Sequence, residues 1–243
     1  MSIPAPSIRI TGDARSGADL LFRGLDLTLE AGRWTCLLGA SGAGKSTILR
    51  MIAGLDAHVT FDGQITAQDG APLAGRVAYM AQSDLLLPWS KVIDNLCLGA
   101  RLRGTRPDRA RAARLLERVG LAEHAGKRPD ALSGGQRQRA ALARTLMEDR
   151  PVILLDEPFS ALDARTRSEM QDLAVELLAG RTVLLVTHDP GEAARLGHAI
   201  EVLGPNGLTE VAPPAGTVPR SVDDPETLAM QGALLRRLRE EVA

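Results

Sequence analysis

No stretch of the sequence approaches the ~20 consecutive apolar residues that span a bilayer. The opening Met1-Ser2-Ile3-Pro4-Ala5-Pro6 has neither the basic n-region nor the apolar h-region of a secretion signal. Both absences predict a chain made and kept in the cytosol. Net charge is nearly absent as well. Twenty-nine basic residues against 30 acidic ones leave −1, which gives no electrostatic footprint for nucleic acid or an anionic lipid surface as the main partner. Cysteine is scarce: Cys36 and Cys97 stand alone without metal-ligand spacing, and are expected as reduced, small, buried side chains. What remains is 243 residues of ordinary hydrophobic content, 44%, enough for one large domain or two lobes with a proper core.

The chain is organised around Gly39-Ala40-Ser41-Gly42-Ala43-Gly44-Lys45-Ser46-Thr47, which fits the phosphate-cradling pattern G-x-x-x-x-G-K-[ST]. Its flanks fit too: Trp34 to Leu38 reads as a buried strand, and Ser46 to Ala53 as a helix stopped by Gly54. Glycines let successive N–H groups turn inward, and the helix adds the positive end of its dipole. Lys45 brings a point charge for the β- and γ-phosphates of a nucleotide, and the Ser46 hydroxyl suits Mg²⁺.

Further along, Pro151 to Leu155 is a continuous apolar run of the kind found in parallel strands covered on both faces, and it ends in Asp156-Glu157. Asp156 is suited to holding Mg²⁺ through water, and Glu157 to deprotonating the water that attacks a γ-phosphate. Arg76 to Met80 is another buried strand, followed by Gln82, whose amide oxygen can reach a metal or an attacking water or simply face solvent. Thr182 to Val186 is a third, running into Thr187-His188-Asp189. A histidine at a strand end is either a sensor of the γ-phosphate or a structural residue. Leu132-Ser133-Gly134-Gly135-Gln136 opens a helix, with Ser133 and Gln136 spaced as a capping box, and its two glycines make a second helix end that favours phosphate. Four apolar strands thus each end, on the carboxyl side, in a residue suited to nucleotide hydrolysis, where open α/β sheets bind ligands.

The rest is scaffold. Ser7 to Thr11 and Leu25 to Leu29 read as paired antiparallel strands separated by a polar stretch, Gly12 to Asp19, and Phe61 to Ile65 with the turn at Gly70 reads as a short hairpin. From Leu85 to about Arg150 the period becomes helical, predicting a helical lobe inserted in the sheet. Its arginines, Arg101 through Arg118, suit a solvated helix face or an anion-binding surface. Leu85-Leu86-Leu87-Pro88-Trp89 suits either lobe core or an exposed patch that docks a partner. Gly204 to Pro225 is rich in Pro and Gly and leads to a helix, Glu226 to Glu241, expected to pack on the body or hang partly loose.

Together these motifs resemble the ATP-binding cassette ATPases over about Ser7 to Leu203. The matching stretches are the phosphate loop Gly39 to Thr47, Gln82, Leu132 to Gln136, Val152 to Glu157, the Ser160 to Asp163 loop, and His188. The resemblance implies an α/β phosphate-loop fold with a mostly parallel core sheet, an N-terminal antiparallel β subdomain and an inserted helical lobe. An ATPase domain over 1–204 would then be followed by a linker and C-terminal helix over 205–243. It also implies ATP and Mg²⁺, with Lys45, Ser46 and Thr47 on the phosphates and metal and Gln82 and Asp156 at the metal. Glu157 would be the base and His188 the switch. Two cassettes would pair head to tail, with Ser133 to Gln136 and Asp163 of one facing the nucleotide of the other. Within the family the chain is similar to ATPase subunits of the nitrate, sulfonate, taurine and thiamine-precursor importers. Such a subunit would lie peripherally on the cytoplasmic face of the cell membrane, its Gln82 to Trp89 region against a permease that a solute-binding protein supplies. Cassette ATPases acting on nucleic acid or ribosomes usually carry long insertions or two cassettes, which this chain lacks. A small-molecule kinase would have to exclude the water that Glu157 is suited to activate. One departure stands out: no aromatic residue lies between Gly12 and Asp19 to stack on adenine, leaving the Arg15 guanidinium plane as a substitute.

Overall fold

The computed structural model describes residues 5–40, 42–56, 59–205 and 207–240. In chain order the elements are β1 (Ile8–Ser16), β2 (Asp19–Leu29), β3 (Trp34–Gly39), α1 (Lys45–Ile52), β4 (Val59–Ala67), β5 (Val77–Met80), α2 (Val92–Leu96), α3 (Leu98–Leu102) and α4 (Arg109–Arg118). There follow α5 (Gly134–Met147), β6 (Val152–Asp156), α6 (Ala164–Leu177), β7 (Thr182–Val186), α7 (Pro190–Leu196), β8 (Ala199–Gly204), β9 (Gly207–Val211) and α8 (Pro225–Glu240). The chain divides into two compact units, one drawn from Met1–Tyr79, Arg150–Glu157 and Ala179–Ala243, the other from Met80–Asp149 and Pro158–Leu178.

The first unit holds both sheets. A six-stranded sheet runs β5-β6-β7-β3-β8-β9. Its central strands β6, β7 and β3 are buried at every position and pair in parallel, as their unbroken apolar runs require. Burying each Val or Leu there contributes roughly 1.5–3 kcal/mol. The register sets Asp156 beside Val186, and Val186 beside Leu37, so three strand ends come level on the carboxyl side. The second sheet, β2-β1-β4, is antiparallel; in β2 the alternation Leu25, Leu27, Leu29 inward and Asp26, Thr28 outward gives it one buried face.

Two local expectations differ. The polar stretch after Thr11 is largely strand, because β1 pairs on both edges through Ser16, and two-sided pairing satisfies its backbone whatever its side chains. Phe61 to Ile65 does not fold into a local hairpin. It belongs to β4, which pairs with β1 from Ile8 opposite Ala67 to Ser16 opposite Val59.

In the second unit α2, α4 and α5 pack around Leu96, Leu116, Ala140 and Ala141. The arginine run is a paired surface face: Arg101 and Arg109 both reach Asp94 at 2.8 Å, and Arg111 donates to the Leu146 carbonyl at 2.9 Å. Cys36 and Cys97 are both buried and free. Of the apolar residues of α8 only Leu234 is fully buried, and Leu228 and Leu235 are exposed. No helix among the described residues is long and apolar enough to cross a membrane.

Candidate functional site

The loop between β3 and α1 is built by conformations that only glycine adopts cheaply. Gly44, just ahead of α1, has φ +92°, and a Cβ on Gly39 would stand 2.5 Å from the Leu203 carbonyl oxygen. Lys45, the first residue of α1, folds back so that Nζ donates to the Gly39 and Ala40 carbonyls at 2.7 and 2.8 Å. Burial holds its pKa below the usual lysine value, opposed by the carboxylates of Glu157 and Asp156. Thr47 is buried beside Arg50, whose Nη2 donates to its hydroxyl at 3.3 Å. Gly42 and Ala43 line, with Leu20, Leu21, Phe22, Arg23 and Leu203, a cleft of about 620 Å³ at the loop's mouth. Its β2 wall is Leu20, Leu21, Phe22 and Arg23, so an aromatic ring does line it, three residues beyond the Gly12 to Asp19 stretch, whereas Arg15 is exposed and not among the lining residues. Ser41 lies outside the described residues.

Ser46 Oγ donates to Asp156 Oδ1 at 3.0 Å, and the Tyr79 hydroxyl donates to Oδ2 at 3.3 Å. Burial pushes the Asp156 carboxyl up, the two hydroxyls pull it down, and Glu157 pushes it up again. A hydroxyl and a carboxylate offer hard oxygen donors in the pair a Mg²⁺ ion bound to phosphates uses. Tyr79 escaped sequence reasoning. Its only signal was its place one residue before the end of β5, the strand next to β6.

Glu157 follows Asp156 with φ +48°, a left-handed conformation that costs a residue with a Cβ about 1 kcal/mol. Its N–H donates to the Val186 carbonyl at 2.9 Å, which fixes that bend against β7. The result aims Glu157 at the residue after Thr187: its Oε2 lies 3.1 Å from His188 Nδ1. The structure therefore brings Lys45, Ser46, Asp156, Glu157 and His188 together within one unit.

Gln82, Ser133, Gly134, Gly135, Gln136 and Asp163 belong to the second unit. The Ser133 hydroxyl accepts from the Gln136 N–H at 3.2 Å while Gln136 Oε1 accepts from the Ser133 N–H at 2.9 Å, the reciprocal cap predicted. Gly134 and Gly135 start α5. A Cβ on Gly135 would stand 3.1 Å from the Ala161 carbonyl oxygen, so the Ser160 to Asp163 loop lies directly against this helix end. Gln138, which no spacing rule singled out, ties the two: it donates to Ser160 Oγ at 3.2 Å and accepts from the Ala161 N–H at 2.7 Å. Asp163 caps α6, accepting from the Thr166 N–H at 3.0 Å, and that amide holds its carboxyl below the usual range. Gln82 is exposed.

The Leu85 to Trp89 run divides between its two readings. Leu86 is core, whereas Leu85 and Trp89 are 63% and 71% exposed. The loop is nonetheless firmly built. The fully buried Asn95 accepts from the Leu87 N–H at 2.7 Å and donates to the Leu87, Ser90 and Lys91 carbonyls, while Arg144 donates to the Asp84 and Leu85 carbonyls at 2.7 Å each.

Comparison with known proteins agrees with this geometry. The sequence pattern of the family described as ABC transporter matches residues 22–160. An uncharacterized ABC transporter ATP-binding protein of Haemophilus influenzae is 45% identical, covering 91% of this chain and 93% of its own. An aliphatic sulfonates import ATP-binding protein of Paracoccus denitrificans is 42% identical over 96% of this chain and 93% of its own. Among solved structures, the dimeric post-hydrolysis state of the ATP-binding cassette MJ0796 bound to ADP and Pi is similar with a TM-score of 0.75 and 28% identity, covering 86% of this chain and all of that one. With more than half its length matched, the cleft of Lys45, Ser46, Asp156 and Glu157 included, the chain belongs to the ABC transporter family.

Proposed function

We propose that this chain is the ATP-hydrolysing subunit of an importer, in which ATP draws two cassettes together and hydrolysis lets them part, driving solute uptake through a membrane permease. The observation that carries the hydrolytic half is the Glu157–His188 pair at 3.1 Å, set beside the Ser46–Asp156 pair at 3.0 Å. Lys45 and the loop N–H groups bind the β- and γ-phosphates; Glu157 takes the proton of the attacking water; His188 orients Glu157 and meets the γ-phosphate. Ser46 and Asp156 would hold Mg²⁺, which would supply charge neutralisation at the phosphate oxygens, and Gln82 is a further residue suited to it. The Ser133 to Gln136 helix end and Asp163 of one copy face the nucleotide on the other.

Tyr79 supports the metal carboxylate from behind. Tyr79→Phe, which loses one hydrogen bond worth about 1 kcal/mol, is expected to raise the Mg²⁺ needed for half-maximal hydrolysis roughly fivefold while lowering the melting temperature by only about 2–4 °C. An unchanged Mg²⁺ titration would show that the hydroxyl does not position Asp156.

The transport half rests on the rigid loop that presents Trp89 and Leu85 to solvent, an arrangement suited to gripping an apolar helix of a permease. Its seat is peripheral, at the cytoplasmic membrane face. The test is to isolate the Glu157→Gln variant from native membranes in ATP and Mg²⁺ and identify its companions. A multi-spanning permease is expected, and its solute-binding protein is to be screened first with aliphatic sulfonates, for which several relatives are named. Recovery of ribosomes or nucleic acid alone would leave the ATPase and remove the transport role.

A further inference from the structure

The His188 side chain is 58% exposed, so packing does not hold it, and apart from its contact with Glu157 its orientation comes from the backbone on either side. Both sides are fixed by one buried hydroxyl. Thr187 Oγ1 accepts from the Asp189 N–H at 3.0 Å and donates to Glu192 Oε2 at 2.6 Å, and the Thr187 N–H donates to the Leu37 carbonyl at 3.2 Å. Thr187 and Glu192 are 2% and 4% exposed, and in such low-dielectric surroundings hydrogen bonds are electrostatically strong and hold geometry firmly.

Glu192 lies on α7, and α7 is gripped at both ends by the C-terminal tail. At its carboxyl end, the buried Arg220 guanidinium donates to the Ala194 and Gly197 carbonyls at 2.9 Å each and to the Ala215 carbonyl at 3.1 Å. These are the carbonyls a helix end leaves without intrahelical partners. Arg195 Nε in turn donates to the Arg220 carbonyl, and the Arg220 N–H to the Arg195 carbonyl, both at 3.0 Å. At the amino end, Gly191, whose N–H donates to Asp189 Oδ1 at 2.8 Å, lies against Gln231 of α8: a Cβ there would stand 3.3 Å from the Gln231 amide carbon. The tail, expected from sequence either to pack on the body or to hang partly loose, is thus wired through α7 to the two residues that flank His188.

We propose that Thr187, Glu192 and Arg220 are positioning residues through which the C-terminal tail sets the geometry of the Glu157–His188 pair. The proposal rests on the hydrolytic reading of His188. Because it acts on orientation, the expected signature is a loss of kcat with nucleotide affinity kept.

The test uses the full chain carrying Thr187→Val, Thr187→Ser, Arg220→Lys and His188→Ala, with steady-state ATP hydrolysis, fluorescent-nucleotide binding, melting curves and NMR of the labelled histidine rings. His188→Ala is expected to abolish turnover. Thr187→Val and Arg220→Lys are each expected to lower kcat about tenfold, since small misplacements of a catalytic group cost rate. In both, nucleotide affinity stays within twofold and the His188 ring resonances shift, and Thr187→Ser, which keeps the hydroxyl, restores most of the rate. Folded Thr187→Val and Arg220→Lys proteins with normal kcat and unshifted His188 resonances would overturn the proposal. So would kcat and affinity falling together with His188 undisturbed, the mark of a merely structural role. Normal turnover in His188→Ala would instead remove the hydrolytic reading beneath it.

Discussion

Glu157→Gln is expected to lower steady-state ATP hydrolysis by about 10³-fold or more while ATP still binds and still draws two chains together. Gln keeps the size and the hydrogen-bonding oxygen of Glu but cannot take a proton from water, so the substitution removes the base and little else. The backbone already favours a purpose other than stability at this position: Glu157 sits at φ +48°, where Gly would fit without strain. A strained residue whose carboxylate ends 3.1 Å from a histidine at the end of the next strand is held for its side chain. A factor of 10³ corresponds to about 4 kcal/mol of transition-state stabilisation, within the span attributed to general bases. Hydrolysis is to be measured as released phosphate, binding with a fluorescent nucleotide, and pairing by sizing chromatography with and without ATP. Turnover within tenfold of the unmodified chain would take Glu157 out of the base role and leave proton removal to the phosphate itself or to His188.

The strongly punctuated parts of this site were legible in the sequence for a physical reason: each is local. Gly39 to Thr47 forms its cradle from successive residues, Ser133 and Gln136 cap the same helix turn, and Asp156, Glu157 and His188 sit at ends of apolar runs whose direction a parallel sheet fixes. What remained unread depends on pairing at long range. β4 joins β1 across more than forty residues, and no short-range signal separates that from a hairpin. Tyr79 reaches Asp156 only because β5 and β6 are neighbours in the sheet, and Gln138 holds Ala161 only because two loops meet. Arg220 reads from the sequence as one more charge in a Pro- and Gly-rich tail. Its burial against the end of α7 follows from contacts no periodicity encodes. The stretch between Gly12 and Asp19, by contrast, was legible as lacking an aromatic residue, but the ring that lines the cleft, Phe22, lies just beyond it on β2 and reaches the phosphate loop only through the packing of that strand.

The second large effect is expected at Ser133, far along the chain from the phosphate loop. Ser133 serves α5 as its cap, and it stands with Gly134 and Gly135 at a positive helix end whose natural complement is an anion. The chain's own Asp163 is engaged in capping α6, and in the head-to-tail pair proposed above a phosphate on a second copy would be that anion. Ser133→Arg puts a long guanidinium where close approach is needed. It is expected to lower hydrolysis at least 100-fold, because transition-state stabilisation by preorganised donors is lost along with closure. Nucleotide binding to the separate chain stays within twofold, since Lys45 and the loop are untouched. Two controls separate closure from folding. Ser133→Ala removes the cap at a cost of about 1 kcal/mol without adding bulk, and should still pair in ATP. Ser133→Arg placed in the Glu157→Gln chain should abolish the ATP-dependent pair that Glu157→Gln alone traps. If the double variant still pairs and Ser133→Arg alone still hydrolyses ATP at the normal rate, this helix end does not face a partner's nucleotide, and each chain must complete its own site.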